Sequence, residues 1–99
     1  MDSITDITAR WFVTSDLVTR EVGGQAFILM PDSSMHILEN DSAVFLFRAF
    51  QEAGADGVSV AQLSAALERG FEVDQAQAQH DVRRFVHDLV ELKIVQPIS

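Results

Sequence analysis

Apolar positions along the chain fall into two regimes that meet near Leu38. Upstream, β-forming residues gather in short blocks: Trp11-Phe12-Val13-Thr14, Leu17 to Val22, Gln25 to Met30, and Met35-His36-Ile37-Leu38. Such residues suit a pleated, half-buried surface, so the blocks predict three strands with a fourth segment leading in. Gly23-Gly24 supplies the positive φ that a two-residue hairpin requires, and Pro31-Asp32-Ser33-Ser34 supplies turn chemistry for a second reversal. The predicted arrangement is an antiparallel meander. In its last strand Met35 and Ile37 share one face and His36 and Leu38 the other, so at least one of the two pairs belongs to the core.

Downstream of Leu38 the apolar period lengthens from about 2 to about 3.6 residues, the change that marks helices. Asn40, Asp41 and Ser42 each offer an oxygen to cap a first helix. In it Ala43, Leu46, Phe47, Phe50 and Ala53 recur at helical spacing before Gly54 and Gly57 stop the run. Ser59 caps a second, shorter helix with Val60, Leu63, Ala66 and Leu67 facing inward and Gly70 at its end. Asp74 caps the third and longest, where Ala78, Val82, Phe85, Val86, Leu89 and Leu92 form one apolar stripe. His80, Arg84, His87 and Glu91 occupy the opposite side with Arg83 beside them, and Glu91 stands four residues from His87, where the two can pair. The closing Ile94-Val95-Gln96-Pro97-Ile98 is β-prone and is expected to return against the sheet. Residues 1–9 lack periodicity and read as a flexible tail, which leaves 10–99 as one domain. The predicted fold is α+β, a three-stranded antiparallel sheet followed by three helices in a winged-helix-like order.

Charge and composition then remove most chemistries. Fifteen acidic and seven basic residues give a net charge of −8, a field that repels phosphate backbones and suits a basic or neutral partner. A winged-helix DNA-binding regulator therefore keeps only the architecture in its favour, since Arg83, Arg84 and Lys93 stand among Asp81, Asp88 and Glu91. There is no cysteine, which removes disulfides, thiolate chemistry and cysteine-ligated metal. The serines sit at caps and turns, and neither they nor the threonines stand in a motif with His36, His80 or His87 that would support nucleophilic catalysis. His80 and His87 lie about 10.5 Å apart along a helix, too far to chelate one ion, and the i+4 position from His80 is a cation, Arg84. The glycines form no phosphate-binding loop. An acyl carrier protein has one hook, Asp41-Ser42-Ala43 opening a helix, but a carrier is all-helical and residues 10–38 here are strands. No apolar run approaches the roughly 18–20 residues that span a bilayer, and no secretory signal is visible, so the expectation is a cytoplasmic protein without a membrane anchor, cofactor or catalytic centre.

From Leu17 to Val95 the sequence resembles the PqqD-like family, also called RiPP recognition elements. The resemblance is carried by Met35-His36-Ile37-Leu38, then Asn40-Asp41-Ser42-Ala43, Val60-Ala61-Gln62-Leu63 and Phe71-Glu72-Val73-Asp74. It closes on Asp81-Val82, Phe85, Leu89 and Ile94-Val95. Two positions depart from the family pattern: Glu39 separates Leu38 from Asn40, and Lys93 stands where many members have Gly. The resemblance implies a non-enzymatic peptide chaperone. It would bind the leader segment of a ribosomally made precursor peptide as an added strand and present it to a modifying enzyme such as a radical-SAM maturase. Carried onto this chain, the receiving edge is Met35, His36, Ile37 and Leu38, and the groove's other wall is the third helix, with Arg83, Arg84 and His87 as contacts. The same open edge can pair with its own copy when no peptide is present.

Overall fold

A computed structural model describes residues 8–98, so the predicted tail lies, up to residue 7, outside the described residues. The chain enters through β1 (Arg10–Val13) and then builds the expected meander from β2 (Val18–Val22), β3 (Gln25–Leu29) and β4 (Met35–Leu38), in the spatial order β2-β3-β4. Gly23 and Gly24 both take positive φ, which closes the first hairpin with Val22 opposite Gln25. The second reversal is closed by Met30 N–H donating to the Ser34 carbonyl at 2.8 Å, with Ser33 in the left-handed region.

Three helices follow: α1 (Asp41–Ala53), α2 (Val60–Phe71) and α3 (Gln75–Glu91). Each begins at a capping side chain. Asn40 Oδ1 accepts from Ala43 N–H at 2.7 Å, Ser59 and Gln62 form a reciprocal capping box, and Asp74 Oδ1 accepts from Gln77 N–H at 2.8 Å. Their apolar stripes meet in one core with Trp11, Ala26 and Ile28, joined by Phe47 and Phe50 of α1, Leu63 of α2, and Val82, Val86 and Leu89 of α3. Arg48 of α1 reaches across to β2, where its Nε donates to both carboxylate oxygens of Glu21 at 2.9 and 3.0 Å. Gln51 Nε2 donates to Thr19 Oγ1 beside it at 2.8 Å.

The meander is not the only sheet. β1 pairs antiparallel with the two-residue β5 (Val58–Ser59) on one side and with β6 (Val95–Pro97) on the other. The segment expected to lead into the meander and the segment expected to return against it therefore pair with each other. Gly57 makes the junction possible. At φ 73° its missing Cβ would lie 2.8 Å from the Trp11 carbonyl oxygen, so the chain can pass β1 only without a side chain there.

Two helix ends differ from expectation. Gly70 does not end α2, which continues to Phe71 and is capped by Glu72 in the left-handed region. Gly70 instead lets α2 approach α1, because a Cβ there would meet the Phe45 ring at 3.1 Å, and Phe45 packs edge-on to Phe71 with centroids 5.2 Å apart. At the end of α3, Ile94 N–H donates to the Leu89 carbonyl at 2.9 Å and Lys93 N–H to Val90 at 3.0 Å, a Schellman closure that requires left-handed backbone between them. Lys93 supplies it at φ 64°, which gives the family's glycine at this position a physical reason. No helix among the described residues is long and apolar enough to cross a membrane.

Replacing Lys93 by Gly relieves the left-handed strain and is expected to stabilise the fold by roughly 0.5–1 kcal/mol. The change would be read as a higher urea midpoint at unchanged m. Gly57→Ala is expected to cost about 1–3 kcal/mol in the same measurement, because both φ and the approach to Trp11 oppose a Cβ. The hydrogen bond and charge of Arg48 hold the Glu21 carboxyl below its ordinary value near 4.5. A carboxylate with a depressed folded-state pKa stabilises above its unfolded value and loses that contribution as pH falls through the folded one. The Tm difference between the native chain and Glu21→Gln is therefore expected to be constant from neutral pH to about 5 and to close progressively below about 4.5.

Candidate functional site

Strand β4 is bonded on one side only. It pairs with β3 through Ala26 opposite Leu38, Phe27 opposite Ile37, Ile28 opposite His36 and Leu29 opposite Met35, and among the described residues no strand lies on its far side. The Met30–Ser34 hydrogen bond fixes the alternation of the ladder. In an antiparallel pair every second residue turns its N–H and C=O to the partner, so His36 and Leu38 bond to β3. Met35 and Ile37 turn theirs to the open edge. An unpaired edge of this kind is a template for another extended chain.

The same alternation sorts the side chains. Ala26 and Ile28 of β3 are buried, so their neighbours His36 and Leu38 project to the inner face and are half-buried. Met35 and Ile37 project to the outer face and are exposed. The pair that belongs to the core side is His36 with Leu38.

A cavity lies at each end of β4, and α3 supplies a wall of both. At the start of the strand, Met30, Pro31 and Asp32 of the turn face Val90 and Lys93 at the end of α3, with Thr14, Val95, Gln96 and Pro97 closing a mainly apolar space of about 510 Å³. Ser34 donates to Asp32 Oδ1 from its hydroxyl at 2.6 Å and its N–H at 2.9 Å. These two bonds hold the Asp32 carboxyl below its ordinary pKa and keep it charged at this rim. Just past the other end, Asn40, Ser42, Ala43 and Leu46 of α1 face Asp81, Arg84, Phe85 and Asp88 of α3 across a more polar space of about 440 Å³, with Leu67 at its floor. The strand thus runs between an apolar and a charged recess, with α3 passing both.

The three α3 residues singled out from the sequence do not stand together. Arg84 is exposed and lines the polar recess beside Asn40, where it makes no ion pair with any described residue. Arg83 is half-buried, and its Nε has no hydrogen-bond partner. His87 is exposed and engaged with Glu91, Nε2 to Oε1 at 3.1 Å. Asp81 and Asp88 at the polar recess, and Met30, Val90 and Lys93 at the apolar one, were not signalled by the sequence. Their grouping depends on how α3 rotates against β4, which periodicity does not encode. Among the described residues no group of three or more histidine or acidic side chains is placed to hold a metal ion.

A small α+β domain with an unpaired strand edge at β4, and a recess lined by α3 near either end of that strand, has the geometry of a binding module for an extended chain. The family model described as coenzyme PQQ synthesis protein D (PqqD) matches residues 25–95, and the chain belongs to this family. The match runs from the first residue of β3 to the first of β6, so it contains β4, its hairpin partner and all three helices. The fold is similar to that of two solved structures. One is described as TbiB1 in complex with the TbiA(beta) leader peptide, with 12% identity, a TM-score of 0.77, and 89% of this chain and 98% of that chain covered. The other is lasso peptide synthetase B1 complexed with the leader peptide, with 19% identity, a TM-score of 0.74, and 90% and 100% covered. Among curated proteins none matches.

Proposed function

We propose that this chain binds the leader segment of a ribosomally synthesised precursor peptide as a strand added to β4 and presents it to a modifying enzyme. The observation that carries the reading is the open edge of β4, where the backbone groups of Met35 and Ile37 face outward between two recesses that α3 lines. Membership of the PqqD family supports it, and so do two structural neighbours whose descriptions each name a bound leader peptide. Strand addition takes affinity from main-chain hydrogen bonds and selectivity from the recesses beside the new strand. His36 and Leu38 then line the inner wall of the groove. Arg84 reaches a polar or acidic residue of the peptide at the polar recess, and Arg83 and His87 on neighbouring turns of α3 adjust that end.

The chain itself performs no reaction in this reading. Its role is to hold the precursor in extended form, in the cytoplasm where precursors are made, while a separate maturase such as a radical-SAM enzyme acts on the segment beyond the leader. When no peptide is bound, the same edge can pair with a second copy.

The test is calorimetric titration of the precursor peptide encoded beside this chain. Ile37→Pro deletes one outward N–H and leaves the β3 ladder donors in place, whereas Ile37→Thr keeps the donor and the β-branch. The expected result is binding by the native chain and the Thr variant, and at least about a tenfold weaker Kd for the Pro variant, equivalent to about 1.4 kcal/mol. Equal binding by all three variants would exclude strand addition at β4. Arg84→Glu is expected to weaken binding of an acidic leader by a similar factor and to reduce its salt dependence.

A further inference from the structure

The outer face of the meander is unusually apolar for a surface that no described element covers. Alternation places Val18, Arg20 and Val22 of β2 on this face, beside Gln25, Phe27 and Leu29 of β3 and Met35 and Ile37 of β4. Val18 is 57% exposed, Val22 58%, Met35 56%, Ile37 46% and Leu29 37%. Antiparallel sheets that bury one face normally solvate the other with polar residues, and a contiguous apolar patch rimmed by polar groups marks an interaction surface. All three helices contribute to the core on the inner side, so no described element covers this one.

Charge and size narrow what fits. Among the described residues no acidic side chain lies on this face, and its single charge is Arg20, which makes no ion pair with a described residue. Arg20 lies with Val18, Val22, Phe27, Leu29 and Met35 around a shallow depression of about 400 Å³. Three strands span about 10 Å between their outer axes, and β2 runs about 16 Å, which matches the diameter and roughly three turns of one α-helix. A second copy fits poorly. The same face on another copy offers Arg20 no carboxylate and sets a second arginine against it.

We propose that this face docks an amphipathic α-helix of a partner protein, with apolar residues over Phe27 and Leu29 and a carboxylate on the helix pairing with Arg20. A helix laid there completes a helix–sheet–helix sandwich in which the meander is buried on both sides. The face is centred on Arg20 and Phe27 and meets the peptide edge only at Met35 and Ile37, whose side chains it shares, so this assignment does not depend on the peptide-binding reading.

The test is selection of binders to the full chain from a displayed library of three-helix miniproteins with one randomised helix face. The expected result is enrichment of apolar faces carrying Asp or Glu, with affinity reduced at least tenfold by Val18→Glu or Arg20→Glu and unchanged by Arg69→Glu at the exposed end of α2. Selection against Arg20→Glu is expected to return Lys or Arg in place of the acid. Binders without acidic preference, or binders indifferent to Val18→Glu and Arg20→Glu, would overturn the proposal, and so would failure to enrich any. Sedimentation showing a dimer that Val18→Glu dissociates would assign the face to a second copy instead. Circular dichroism of the variants confirms that the fold is intact in each case.

Discussion

The burial of Ala26 and Ile28 is the constraint from which the rest of the architecture follows. Because side chains alternate along a strand, committing these two residues of β3 to the core fixes which face of the meander the helices cover. It also fixes the neighbours: Thr19 and Glu21 on β2 and His36 and Leu38 on β4 share that inner face. The bond between Met30 and Ser34 then sets which backbone groups of β4 turn inward and which remain open. A shift of one residue in this register would carry the apolar set to solvent and exchange the bonded and free amides together, so core packing and the open edge are specified by one and the same alternation.

The helices hold this arrangement from one side. α1 is tied to β2 by the Arg48–Glu21 and Gln51–Thr19 contacts and shares the core with β3. α3 reaches both ends of β4 without covering its edge, since Asn40 and Ser42 meet Asp81 and Arg84 at one end and Met30 and Asp32 meet Val90 and Lys93 at the other. The second sheet keeps the end of α3 in place: after the Schellman closure at Lys93, Ile94 is buried and β6 is paired with β1. β4 therefore runs between two recesses lined by α3, with its outer edge unpaired among the described residues.

Most of the fold was legible in the sequence because it rests on local signals. Gly23-Gly24, the caps Asn40, Ser59 and Asp74, and the stripe from Ala78 to Leu89 each state their element within a few residues. The two residues of β5 could not be read, because a strand that short has no periodicity of its own and exists only where Gly57 lets it approach Trp11. The pairing of β1 with β6 is also a tertiary event, since both segments read simply as β-prone. At the site, Met35 to Leu38 was recognisable as a strand, but its inward pair was not, because each alternate set contains a large apolar residue. The split of Arg83, Arg84 and His87 among different surroundings depends on the rotation of α3 in the assembled core. Phe85, one residue from Arg84, marks that rotation by lying half-buried at the rim of the polar recess.

Amide hydrogen exchange reports whether a peptide completes β4. With the precursor peptide bound, the Met35 and Ile37 amides, free in the unliganded chain, are predicted to become protected by an order of magnitude or more, while His36 and Leu38, already bonded to β3, change little. Binding that leaves Met35 and Ile37 exchanging as before, with protection appearing on another surface, would show that the peptide does not pair with β4.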